Sequence, residues 1–405
     1  MTTGVGGSTK QQALERLSDM TTGSNPITKQ EFERRIDRLQ SLLKEADVRA
    51  IYLHAGANLF YFTGLQWSPS ERMVAAVIPA EGEMFYIAPH FELDTLRDYW
   101  VLEANIFGWH EHESPYKVFC DALATAGIDS GTVVLDEATP YYTVTGLTAA
   151  NPNITFELAQ PFTQALRSIK SESELALIQR AHIMTLEVIK AAASILEEGM
   201  STSEVEEFID EAHRVVGAPA GSYFCIVLFG VATSFPHGVK EPQTLKQNDW
   251  VLIDTGCVLH AYISDITRSF CFGQPTEEQR FAWNAEKDAQ AAAFAAAQPG
   301  ATCEMPDAAA RASLVQSGFG PDYELPGLPH RTGHGCGVEI HEGPNLVRGE
   351  STQLATGMVF SNEPMLVVPD KFGVRLEDHF HMTAIGPKWF TMPSLSIDDP
   401  FGAVA

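Results

Sequence analysis

The chain has 405 residues, 45% hydrophobic and 20% charged, which allows two or three domains with sizeable cores in an ordinary globular protein. Its 52 acidic against 27 basic residues leave a net charge of −25, which argues against nucleic acid or an anionic membrane as a partner. No long apolar run marks a membrane span, and the polar first twelve residues lack the apolar core of a signal peptide, so the cytoplasm is the expected compartment.

Taken in chain order, residues Thr28 to Ala46 carry Phe32, Ile36, Leu39, Leu42 and Leu43 at helical spacing. Strand-like runs follow at Ala50 to Leu53, Met73 to Ile78, Glu83 to Ile87 and Val133 to Leu135, some separated by helical stretches. This alternation predicts a mixed α/β domain, a sheet flanked by helices. Turn-rich Asn151-Pro152-Asn153 leads, between Pro161 and Lys170, into a long helical pattern from about Ser171. The expected division is therefore 1–165 and 166–405. Ser201 and Glu204 read as a capping box before the apolar face Val205, Phe208, Ile209 and Ala212. The Ala-rich stretch Ala291 to Ala297 reads as a helix. Six cysteines form no C-x-x-C pair and read as small buried residues, not as a disulfide framework.

Chemistry concentrates in the second half. Asp254 ends the apolar run Trp250 to Ile253, and Asp265 lies in a second strand-like run from Tyr262 to Phe272, so a hairpin would set the two side by side. Glu363 follows the run at Met358 to Phe360, and Glu377 comes after turn chemistry at Pro369 to Gly373, which predicts a second hairpin facing the first. His334 sits in His-Arg-Thr-Gly-His-Gly-Cys-Gly (330–337). One such aspartate alone is more often a turn or cap residue, and a lone His-x-x-x-His is weak. Together, four carboxylates and an imidazole are a hard, oxygen-rich set suited to two divalent ions such as Mn²⁺, Co²⁺ or Zn²⁺. Four carboxylates that close would repel one another without cations. Paired metals activate water and polarise a carbonyl, which points to a hydrolase. Thiolate ligation by the neighbouring Cys257 or Cys336 is unnecessary beside this set.

The stretch from about Arg167 to Ala384 resembles the pita-bread metallopeptidases, in particular the branch of prolidase, aminopeptidase P and creatinase, and what precedes it is similar to that branch's N-terminal domain. The resemblance implies a creatinase-like α/β N-terminal domain followed by a pita-bread catalytic domain of two pseudo-symmetric αα-ββ units. It places Asp254, Asp265, His334, Glu363 and Glu377 on the five ligand positions, with Asp265 and Glu377 bridging two ions, Mn²⁺ first and Co²⁺ or Zn²⁺ as alternatives. It also implies a bridging hydroxide, with Glu363 as proton shuttle. His237, in Ser-Phe-Pro-His-Gly, falls on the substrate-side histidine, His330 and His341 on the histidines flanking His334, and Arg375 on the arginine before the last glutamate. Imidazoles suit an oxyanion that needs donors. Gly335, Gly337 and Gly343 would let the chain approach a ligand closely. Without the family match, a turn histidine beside Pro236 would explain His237 equally well. His379 and His381 alternate with Glu377 but read as packed or exposed imidazoles. Val367 stands where the branch often has a tyrosine, so that hydroxyl is missing.

Trp67 and Arg72, in the loop 61–72, are candidates for walling a proline-sized pocket and for meeting a carboxylate. The resemblance also allows such a loop to serve a partner subunit, which implies a homodimer. The expected activity is hydrolysis of Xaa-Pro dipeptides, a small peptide substrate. The alternatives are an aminopeptidase P acting on longer peptides, a hydrolase of another small amide, or a binding protein that has lost catalysis. The intact ligand set argues against the last. Arg375 and Arg72 are the expected cations for a dipeptide's free carboxylate.

Overall fold

In the computed structural model, which describes residues 2–402, the chain forms two compact units: Pro26–Arg167, and the described parts of Met1–Asn25 together with those of Ser168–Ala405. The expected first domain began at residue 1, and the structure corrects this. Thr2 Oγ1 donates to the Cys271 carbonyl (2.7 Å), the backbone N–H groups of Gly6 and Ser8 donate to Ala193 and Ser194 (2.9 and 3.0 Å), and Ala13 is buried. Hydrogen bonds to distant backbone hold this polar segment, and no local pattern in the sequence reports them.

The Pro26–Arg167 unit is built on a mixed six-stranded sheet in the order Asn105–Trp109, Phe85–Pro89, Ala75–Pro79, Val48–His54, Gly131–Leu135, Ile154–Leu158. The four inner strands are the predicted ones. The two edge strands escaped because only part of each is covered, so their sequences (NIFGW, ITFEL) carry little apolar signal. The helix Lys29–Glu45 starts where Thr28 accepts from the N–H of Glu31, and it buries Phe32, Leu39 and Leu43.

The second unit repeats one arrangement twice. Helices Glu172–Ser194 and Thr202–Val215 are followed by antiparallel strands Ser222–Phe229, Trp250–Leu259 and Ile266–Cys271. Helices Glu277–Ala296 and Glu304–Gln316 are followed by a five-stranded sheet, Glu342–Leu346, Gly333–Gly335, Val359–Asn362, Asp378–Thr383, Gly386–Trp389. Ser171 with Glu174 and Ser201 with Glu204 form reciprocal capping boxes, which fixes both first-half helix starts.

The hairpins differ from expectation in one respect. Asp254 lies inside its strand, opposite Thr267, and Asp265 sits just before the partner strand. Glu363 and Glu377 do not flank a single turn. A small hairpin, Met365–Val368 with Phe372–Arg375, is inserted between them, and the longer pairing of Asn362 with Asp378 closes beneath it. The two glutamates therefore lie at the neck where two sheets meet. No described helix is long and apolar enough to cross a membrane.

Candidate active site

Each candidate ligand is held by a bond that its own strand cannot supply. The His334 N–H donates to Ser361 Oγ (2.9 Å), and Nδ1 bonds the Gly335 carbonyl (2.9 Å), which fixes the ring with Nε2 toward the acids. Nε2 lies 3.0 Å from Glu363 Oε1 and 3.7 Å from Asp265 Oδ2. The Glu363 N–H donates to the Thr332 carbonyl (2.9 Å), and its Oε1 accepts from Ser361 Oγ (3.0 Å). The Glu377 N–H donates to the Thr267 carbonyl (3.1 Å), and its Oε2 accepts from Thr267 Oγ1 (2.7 Å). Asp254 Oδ2 accepts from the Arg375 guanidinium.

Asp254, Asp265, His334 and Glu377 are buried. Burial, then the neighbouring acids, pushes the Asp265 and Glu377 carboxyls well above the ordinary range. Asp254 is raised by burial against the pull of Arg375. Glu363 goes the other way: burial opposes ionisation, but the His334 hydrogen bond and charge, with His330 and Arg375, hold it low. One guanidinium cannot balance four carboxylates. Asp254 Oδ1 is buried with no partner among the described residues, and Asp265, His334 and Glu377 offer ligand atoms within 4.8 Å of one another. The residues fit divalent cations.

Above this cluster lies a cavity of about 460 Å³, lined in part by His237, His330, Arg331, His341 and Glu363. The His341 ring stands edge-on to His334, with centroids 4.3 Å apart. Partial burial and the charges of His334 and Arg331 lower its pKa to about 4, so it is neutral at physiological pH. His330 Nδ1 bonds the Arg331 carbonyl (2.7 Å), and its Nε2 is buried without a partner among the described residues.

Three comparisons with known proteins bear on this site. Residues 176–384 match "Metallopeptidase family M24", and residues 35–169 match "Creatinase/Prolidase N-terminal domain". The chain belongs to metallopeptidase family M24. It is 33% identical over 87% of its length to a Bacillus subtilis protein named "Putative dipeptidase YkvY", covering 96% of that protein. Among solved structures it is similar to dipeptidase PepE of Mycobacterium ulcerans (TM-score 0.84, 28% identity, covering 91% of this chain and 97% of that one). It is also similar to a prolidase of Thermococcus sibiricus (TM-score 0.81, 27% identity, 89% and 97%). The chain is thus in the prolidase and aminopeptidase P branch of the M24 family, with a creatinase-type N-terminal domain before a pita-bread domain. Membership supports peptidase activity on a peptide substrate with divalent metals.

Several M24 residues stand differently from expectation. The three nitrogens of Arg375 all have partners: Asp254 Oδ2, the Pro236 carbonyl (3.2 Å) and Thr267 Oγ1 (3.0 Å). It braces Asp254 and is not a free cation for a substrate. Arg72 is paired with Glu71 and with Glu111 (3.1 Å), so it is also neutralised, and Trp67 packs edge-on to Tyr99. Both belong to the Pro26–Arg167 unit. Gly335 and Gly337 make room for Glu342 and not for a ligand: a Cβ would lie 2.7 Å from its carbonyl and 2.9 Å from its Oε1. Glu342 binds the N–H groups of Val338 and Glu339 and pairs with buried Lys170 at 2.7 Å, which fixes the loop that carries His341. Val367 is buried in a backbone bridge to Gly327, so the missing hydroxyl position is given to packing.

Sequence reasoning undervalued His379 and missed His182. His379 Nε2 donates to Glu377 Oε1 (3.3 Å), and His182 Nε2 accepts the Asp265 N–H (3.5 Å). The two rings pack 4.6 Å apart, fully buried. His381 turns to Phe390 instead. The alternation of His379 with Glu377 was a usable signal, but helix residue His182 carried none.

Proposed function

We propose that this chain hydrolyses Xaa-Pro dipeptides with two divalent ions, Mn²⁺ first, which Asp254, Asp265, His334, Glu363 and Glu377 would hold. The observation that carries this reading is the acid surplus at the base of the cavity, where four carboxylates meet one imidazole and one already engaged arginine. When bound, the ions supply an activated water and polarise the scissile carbonyl.

The protein's own groups do the rest. Glu363, the carboxylate that lines the cavity, is placed to take a proton from the attacking water and pass it to the leaving amine. Neutral His341 offers a ring N–H to the oxygen that gains charge, and His237 faces the same cavity. His330 walls the substrate side, and Arg375 orients Asp254 and opposes the burial that raises its carboxyl. Names of similar proteins, a dipeptidase and a prolidase, support the substrate class.

The test is a panel of Xaa-Pro dipeptides, Xaa-Pro-Yaa tripeptides and non-prolyl dipeptides, run on the metal-reconstituted chain. Preference for Xaa-Pro is expected. Equal turnover of Xaa-Pro and longer Xaa-Pro peptides would replace the reading with that of an aminopeptidase P. Full turnover in metal-free protein would remove the metal chemistry altogether.

A further inference from the structure

Residues 217–405 contain six arginines. Arg268, Arg280, Arg311, Arg348 and Arg375 each form an ion pair with an aspartate. Arg331 pairs with no acid among the described residues, although the chain carries 52 acidic groups. It is half-buried and lines the cavity above the ligand cluster. Glu363, the acid of that cavity, is taken up by His334 and Ser361.

The backbone that carries Arg331 is firmly held. The preceding carbonyl, of His330, accepts from Arg311 (2.6 Å), and the Arg331 carbonyl bonds His330 Nδ1 (2.7 Å). Thr332 N–H and Oγ1 both bond Asp307 Oδ1 (3.1 and 2.8 Å). A firmly held backbone thus carries an arginine with no acid partner among the described residues at the wall of a substrate-sized cavity, close enough for its charge to act on His341. A guanidinium in that position is matched by a planar carboxylate, which it binds through two parallel N–H donors.

We propose that Arg331 receives a carboxylate of the substrate. The proposal rests on the dipeptidase reading and deepens it: the preferred substrate carries a free acid close to the scissile bond. That acid is either the dipeptide's C-terminal carboxylate or the side chain of an acidic N-terminal residue. Both present the same chemistry to the same cation. This role passes from Arg375 and Arg72, whose charges are already met within the protein.

The test uses the full, metal-loaded chain and two substrate pairs. Ala-Pro against Ala-Pro-amide isolates the C-terminal carboxylate, and Glu-Pro-amide against Gln-Pro-amide isolates the side chain. The wild-type protein should favour the acid member of one pair by about tenfold to a hundredfold in kcat/KM, carried by KM. In Arg331→Gln that ratio should collapse toward one, and Arg331→Lys should restore part of it, with metal content at the wild-type level in both. Collapse in the first pair assigns the C-terminal acid, and collapse in the second assigns the side chain. Ratios unchanged in Arg331→Gln for both pairs overturn the proposal. Failure of the proline preference would show in the wild-type protein alone, and the same comparison would then be made with Ala-Ala and Ala-Ala-amide. If the protein turned nothing over, calorimetric binding of the same pairs to wild-type and Arg331→Gln protein would decide the question on the same ratios.

Discussion

In the Pro26–Arg167 unit, buried cations meet partners nearby: Arg35 pairs with Glu31 at 2.9 Å and donates to the Tyr61 carbonyl at 2.8 Å, while Arg167 donates to the Asn58 side chain at 2.8 Å. In the other unit, four carboxylates share one arginine, and three of them are pushed above their ordinary range. Buried ions that answer one another are structural, and their removal leaves an uncompensated charge. A surplus of one sign that the protein does not answer is a demand for something from outside. By that measure the buried charges named in the first unit are structural, while the surplus in the second supports the cation site proposed above.

The comparison breaks most readily at the ligand cluster. Asp265→Asn removes one of the crowded charges and should lower metal content and turnover together, the latter by about 10³-fold or more, beyond the 10–100-fold typical of a ligand's supporting partners. Elemental analysis beside a rate assay checks both, and a variant that keeps full metal and full rate would dissolve the surplus argument. His341→Ala should cost about 10²–10³ in kcat with metal content near normal, because it removes one positioned donor. An unchanged kcat would make His341 a bystander.

A smaller effect is expected behind the ligands. His379→Ala should weaken metal binding by about 10–100-fold through loss of the bond to Glu377, and His379→Gln, which keeps a donor, should lose less. Metal titration followed by calorimetry reads this without any turnover. Equal affinity in wild type and His379→Ala would return His379 to plain packing.

The least pronounced contrast is in acid response. Burial lowers His213, in the second unit, to about 4, so it contributes stability above its unfolded pKa near 6.5 that is lost as pH falls toward 4. Burial raises Asp136, in the first unit, to about 6, so its contribution is present below about 4 and is lost as pH rises through 6. Lowering pH from 7 toward 4 should therefore weaken hydrogen-exchange protection at Ile253 while sparing Ile51 in metal-loaded protein. A parallel decline in both would erase the difference, and a smaller decline at Ile253 in His213→Asn would measure that histidine's share beside His182, which burial also lowers to about 4.

Much of this was legible beforehand, for local reasons. Helix starts at Thr28, Ser171 and Ser201 follow from a side-chain oxygen and a glutamate within one turn, which neighbouring residues are enough to specify. The inner strands announced themselves as apolar runs because both their faces are covered. The edge strands Asn105–Trp109 and Ile154–Leu158 did not, because half-covered strands need few apolar residues.

The sequence by itself determined the identity and order of the five candidate ligands and the family that goes with them. Those depend on residue type and spacing, which the chain carries in one dimension. Tertiary structure alone decided which charges are already answered. Arg375 and Arg331 look alike in sequence, each beside a ligand motif, yet one closes on Asp254 from across the fold and the other meets no acid among the described residues. It also decided that His182, from a helix more than eighty residues earlier, supports Asp265, and that Thr2 and Gly6 belong with the second unit. Each of these outcomes depends on groups far apart in the chain arriving within hydrogen-bond distance, and only the packed fold sets that distance.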